Sequence, residues 1–219
     1  MDAAVIALIG APIVLVVTLL AVAIPLLMRA ERARRAGLWQ WATQHGWTFA
    51  ESSRAPWMSR LPGHRRQRLG VTLTGQFGGR WVTVADYSYE TTSTNADSTT
   101  THTHRFIAVV VLLDRPMPSA LVHRRGAMSK LSRSLFGDRP TATGNDWFDS
   151  RFRIAAADPD YARWLVGKPL RDAHLAGAVP DWSLAGRELL TYTPGQLRDP
   201  NAIPALAAPL AHVADLLGR

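Results

Sequence analysis

Two histidines one residue apart, in Thr101-His102-Thr103-His104, are the side chains of this 219-residue chain best placed to do chemistry. Residues i and i+2 of a strand point to one face, so His102 and His104 could share a divalent ion, with Asp86 on the expected partner strand as an oxygen ligand. A metal held there with an open coordination position would activate water, and the chain would be a metal-dependent hydrolase. The plainer reading is an exposed Thr- and Ser-rich tip in which one ring nitrogen takes a cross-strand hydrogen bond. On that reading neither a metal nor a cofactor is expected.

Most other chemistry is excluded by residue type. The chain has no cysteine, which removes disulfides, thiolate metal sites and cysteine nucleophiles together. It has no glycine-rich phosphate loop, no GxSxG elbow, no paired-histidine zinc helix and no calcium loop. Glu31, Glu51, Glu90 and Glu188 fall in four separate segments, so no carboxylate pair suggests acid–base work. Asp146 and Asp149 could chelate a cation, although aspartates in loops are usually solvated. A non-catalytic accessory or interaction protein is the reading these absences favour.

The element that positions everything else is the uncharged stretch Ala3 to Met28. As a helix its twenty-six residues would rise about 39 Å, against a hydrocarbon core of about 30 Å. Residues 1–28 are therefore expected to be a single transmembrane anchor, with Pro12 and Pro25 near its ends. Ala21-Val22-Ala23 resembles a signal-peptide cleavage site, but a basic flank and a short apolar core are missing, which favours an uncleaved anchor.

Charge sets the orientation. Of the formal net charge of +8, a surplus of seven lies between Arg29 and Gly70, where nine arginines meet only Glu31 and Glu51. Arg29, Arg32, Arg34 and Arg35 follow the apolar stretch and no Lys or Arg precedes it, so the positive-inside rule puts the N-terminus outside and the following domain in the cytoplasm, at the cell membrane. Basicity confined to this segment points to anionic headgroups and not to nucleic acid, whose binders carry the field on the folded domain. Arg65 and Arg66 with Trp57, and Lys130 and Arg133 with Met128, Leu131 and Leu135, are further candidate membrane contacts. The expected partners are the lipid bilayer and other membrane proteins, as in a subunit of a larger complex.

Downstream, residues 29–46 read as a juxtamembrane basic helix that continues the span and is ended by Gly46, with Gly37 a possible bend. In it Trp39 and Trp41 are interfacial anchors or, preferably, core. Residues 47–219 read as one α+β domain. Leu69 to Tyr89 alternates as a hairpin about Gly78-Gly79, and residues 90–104 form a Thr/Ser-rich loop or two strand extensions. Phe106 to Leu113 is a strand buried on both faces, ended by Asp114, Pro116 and Pro118, with Ala120 to His123 a separate edge strand. Gly126 to Phe136 reads as a short amphipathic helix, and Trp147 to Ala155 contains a strand. Asp158-Pro159 caps a helix, another runs from Pro169 to Ala176, and Trp182 to Thr193 is a hairpin turning near Gly186. Leu206, Leu210, Val213 and Leu217 stripe a last helix.

The runs GRWVTVADYSYETT, THTHRFIAVVVLL and WFDSRFRIAAADPDYARWLV resemble an uncharacterised family of actinobacterial membrane-anchored proteins with a domain of unknown function. The resemblance covers roughly residues 69–190 and implies a bacterial anchored protein without assigning catalytic residues. The expected architecture is α+β: a single N-terminal transmembrane helix, then a twisted antiparallel sheet of about six to eight strands covered by helices, including a C-terminal one. A pleckstrin-homology-like barrel is one version of it.

Overall fold

The structure, a computed structural model, describes residues 3–63, 66–95, 98–125 and 142–217, and the side chains of its first helix from Val17 onward. That helix, α1 (Ala3–Gln44), is continuous from the apolar stretch through Gly37 into the domain, as the sequence leads one to expect. It stops where Gly46 takes φ +69 and the Trp47 amide donates back to the Ala42 carbonyl at 2.8 Å, a Schellman-type end that glycine permits. Only its last turns enter the fold: Leu38, Trp41 and Ala42 are buried, whereas Val17 to Met28 and Trp39 are exposed. Among the described residues no helix is long and apolar enough to cross a membrane, because from Val17 only twelve uncharged residues precede Arg29.

Six antiparallel strands follow: β1 (Thr48–Glu51), β2 (Arg68–Phe77), β3 (Arg80–Asn95), β4 (Ser98–Arg124), β5 (Phe152–Ala156) and β6 (Trp182–Pro194). The order is β1-β2-β3-β4-β5, and β6 pairs with β4. Among the described residues no pairing closes the sheet, so it is open and not a barrel. Alternation divides the core between its faces. Val71, Leu73, Val82, Val84, Val109 and Val111 serve one face, with Leu38 and Trp41 of α1. Leu69, Ala85, Tyr87, Ala108, Val110 and Leu190 serve the other, under Trp57 and Leu61.

β4 departs most from expectation. Asp114, Pro116 and Pro118 do not end it; it runs 27 residues and pairs with β3, β5 and β6 in turn. Both prolines lie where its register to β6 shifts, between Leu112 and Ala120, so their missing N–H groups break no regular ladder. Ala120 to Val122 pairs on both sides and is no edge strand. Across the same irregularity Gly186, at φ +57, faces Met117, and Trp182–Pro194 is one bulged strand, not a hairpin. The Arg60 guanidinium donates to the Ser183 and Glu188 carbonyls there, at 3.2 and 3.0 Å, and pairs with the Glu188 carboxylate. Residues 90–95 and 98–104 are the two strand extensions: β3 and β4 stay in register out to Asn95 opposite Ser98.

Helices close the first face. α2 (Asp146–Asp149), capped by Asn145, lies ahead of β5, the strand expected within residues 147–155. α3 (Pro159–Leu165) starts at the Asp158 cap, followed by α4 (Lys168–Leu175) and α5 (Ile203–Leu217), which buries Leu210, Val213 and Leu217. The expected helix at residues 126–136, with Lys130 and Arg133, lies outside the described residues, as does Arg65.

His174 on α4 is 2 % exposed and packs on Phe148, Phe152 and Trp182. Trp182 Nε1 can only donate, so His174 Nε2, 3.0 Å away, accepts and the ring proton sits on Nδ1. Burial, with Arg124 nearby, lowers its pKa from 6.5 to about 4. The unfolded chain therefore takes a proton below pH 6.5 that the folded chain refuses. This contribution to stability is intact above pH 6.5 and is lost as pH falls toward 4, by up to about 3 kcal/mol. Thermal unfolding from pH 7 to 4 should show this loss, and His174→Gln, which keeps an acceptor for Trp182 but does not titrate, should flatten it.

Candidate functional site

One stripe of α1 changes character along its length. Leu38, Trp41 and Ala42 are core; one and two turns earlier the same face carries Glu31, Arg34 and Arg35, then Leu27 and Ala30. This i, i+3, i+4, i+7 spacing keeps all of them on one side of the helix. Over that side, between α1 and the sheet, lies an open cleft of about 1040 Å³.

The sheet supplies its floor. Asp86 of β3 and Gly70 of β2 lie at the inner end; Arg68, Ser88 and Arg105 form a row across β2, β3 and β4; Glu90 and Thr103 form the next row toward the hairpin tip. Arg68 reaches this face because a bulge between Leu69 and Thr72 shifts the register, turning Leu69 to one side and Val71 to the other. Beyond the mouth α1 continues toward its N-terminus, and the hairpin runs five further residue pairs, about 16 Å.

Arg34 ties helix to floor. Its guanidinium donates to Asp86 Oδ2 at 2.8 Å, to the Leu197 carbonyl at 2.6 Å and to both Glu31 oxygens. Asp86 in return accepts the Leu197 amide at 2.8 Å. Burial pushes the Asp86 carboxyl up, and the Leu197 amide and the Arg34 charge oppose the rise. Hydrogen bonds from Arg34, with Arg35 beside it, bring Glu31 down to about 2 against the effect of burial. Glu31's contribution is thus present above pH 4.5 and fades as pH falls toward 2. Arg35 also reaches Glu51 at 3.6 Å, and Arg66 pairs with Glu90 at 3.0 Å. Arg68, Arg105 and Arg198 line the cleft exposed and without an ion pair among the described residues; Arg105 donates only to Gln196, at 3.1 Å.

The histidine–aspartate trio is not assembled. Asp86 pairs with Ile107 and shares its face with Arg105, whereas His104 pairs with Tyr89 on the opposite face. His104 stacks on Tyr89 at 4.7 Å and bonds Thr91 Oγ1 at 3.0 Å, the cross-strand hydrogen bond of the plainer reading. His102 is exposed opposite Thr91. Among the described residues no group of three His, Asp or Glu could hold a metal. Asp149 accepts from the Thr143 and Gly144 amides, so it orders a loop, and Asp146 is exposed at the start of α2.

Of the candidate membrane contacts, Arg29 and Arg32 are exposed, and Arg35 is half-exposed in its ion pairs. Arg34 is committed to Asp86, and Trp57 is 6 % exposed under the sheet. Arg66 is exposed at the cleft mouth. Glu31, Arg105 and Arg198 were not foreseen as site residues. The α1 spacing was the available signal for Glu31; the other two depend on strand register and on the chain after β6.

The fold has a counterpart among solved structures. The crystal structure of the mycobacterial trehalose monomycolate transport factor A, TtfA, is similar at a TM-score of 0.56, covering 85% of this chain and 95% of that one. The identity is 13%, so the likeness is one of fold. No protein-family model and no curated protein matches the sequence.

Arg34 and Asp86 are each 12% exposed at the side chain. Removing either takes the closest ionic partner from a partly buried charge, leaving Arg34 with Glu31 or Asp86 with the Leu197 amide, which costs up to roughly 3 kcal/mol. Arg34→Met and Asp86→Leu should each destabilise by up to that amount, and the double variant by clearly less than their sum. Urea unfolding of the four proteins measures the coupling.

Proposed function

We propose that the chain is a membrane-anchored, non-catalytic accessory protein of a bacterial membrane process, its α+β body held at the cytoplasmic face. The observation that carries this reading is the exposed apolar run Val17 to Met28 on a helix whose buried residues begin only at Leu38. Large exposed apolar surfaces mark interaction or membrane sites, and the uncharged sequence extends to Ala3. Arginines crowd the body-side end of the stretch, favouring a cytoplasmic body. A fold shared with a transport factor suits an accessory role, as a subunit working beside other membrane proteins. The resemblance to anchored actinobacterial proteins fits the same picture.

This reading constrains the hairpin. A ribbon of Thr and Ser whose outer edges pair with no strand among the described residues cannot enter hydrocarbon, so residues 91–95 and 98–102 lie across the headgroups while α1 continues inward.

With no native cysteine, single cysteines report topology directly. In intact cells Ser150→Cys on the body should resist a membrane-impermeant maleimide and label after permeabilisation, and the full chain should stay with the membrane in alkaline carbonate. Ready labelling of Ser150→Cys in intact cells would reverse the orientation, and release by carbonate would end the anchor.

A further inference from the structure

The cleft holds more positive charge than its own carboxylates neutralise. Arg34 is matched by Glu31 and Asp86, Arg35 by Glu31 and Glu51, and Arg66 by Glu90. Arg68, Arg105 and Arg198 have no such partner among the described residues. Arg68 and Arg105 flank Ser88 in one cross-strand row, so their Cα atoms lie about 10 Å apart at the usual strand spacing. Side chains as long as arginine's can converge from those positions on one anion above the Ser88 hydroxyl. Two planar guanidinium forks and a hydroxyl suit an acceptor with oxygens on several sides, as a phosphate has.

A second feature is the apolar exit. Leu27 lines the same cleft, and Ile24 and Leu20 continue its helical face outward, exposed. A site that is cationic inside and opens along an apolar helix face matches an amphiphile, with its charged head inward and its chains against the helix. A free anion would use the first feature and leave the second idle.

We propose that this cleft binds the phosphate of an anionic phospholipid headgroup through Arg68, Arg105, Arg198 and Ser88, with the acyl chains leaving along Leu27, Ile24 and Leu20. The proposal rests on the membrane-anchored reading for its supply of lipid, and it gives the body a second hold on the bilayer. The bound headgroup supplies the counter-charge that the floor lacks, so its affinity falls with salt.

The test uses the full chain in neutral-detergent micelles, titrated with short-chain phosphatidylglycerol, phosphatidylcholine of the same chains, and inorganic phosphate. Phosphatidylglycerol should bind at least tenfold more tightly than either of the others. Arg68→Gln/Arg105→Gln/Arg198→Gln should weaken it at least tenfold without moving the melting temperature, since all three side chains are exposed. Arg115→Gln, exposed on β4 outside the cleft, removes one charge as a control and should leave affinity unchanged. If the triple variant melts early, the three single variants carry the comparison. Equal affinity of wild type and variants, or equal binding of the two lipids, overturns the proposal. Inorganic phosphate binding as tightly as phosphatidylglycerol assigns the site to a free anion and overturns the lipid. Because the titration needs no bilayer, loss of lipid binding leaves the anchor standing, and carbonate release of a chain that still binds lipid leaves the cleft standing.

Discussion

The Arg34–Asp86 pair is the contact on which the geometry of this molecule depends. It joins the helix that projects from the body to the central strands of the sheet, at 2.8 Å, and draws in the chain after β6 through both backbone groups of Leu197. Two partly buried charges are costly in isolation, and here each is satisfied from several directions. The carboxylate has an amide and a guanidinium; the guanidinium has two carboxylates and a carbonyl. Replacement by apolar residues could hold the helix as firmly, but an ionic clasp also fixes the helix in one rotation. That rotation aims Leu27, Ala30, Glu31 and Arg35 into the cleft and keeps Leu38 and Trp41 in the core.

Local signals in the sequence carried the local structure. Gly78-Gly79 turns the β2–β3 hairpin, Asp158-Pro159 starts α3, and the Leu210, Val213, Leu217 stripe faces the sheet. The open six-stranded antiparallel sheet with its C-terminal helix falls within the expected α+β class. What failed were inferences that needed a partner distant in sequence. Pro116 and Pro118 read as strand breakers because the register shift that accommodates them is a property of β6. The burial of Trp57 and the pairing of Arg34 are likewise hidden, because nothing nearby announces the strands that cover them.

The site was less legible than the fold for the same reason. His102, His104 and Asp86 formed a reasonable trio by residue type, yet the pairing of Asp86 with Ile107 puts the aspartate through the sheet from His104. Placing an aspartate by hairpin symmetry requires the register, and a shift of one residue reverses the face. Conversely, Arg68 and Arg105 are unremarkable in sequence and become neighbours only because a bulge at Gly70 turns Arg68 to the α1 side. Their lack of counter-charge is visible once Ser88 is seen between them.

These features describe a body whose cationic cleft, projecting apolar helix and polar hairpin share one end, with β5, α2 and α3 away from it. The central claim is that this end rests on the bilayer in a fixed orientation. Spin labels on single cysteines at Thr103, beside the cleft mouth, and at Ser150, beside β5, test it in phospholipid nanodiscs carrying a nickel-chelating headgroup. The account predicts strong nickel-dependent relaxation at Thr103 and little at Ser150. Equal relaxation at the two sites, or stronger relaxation at Ser150, would contradict it.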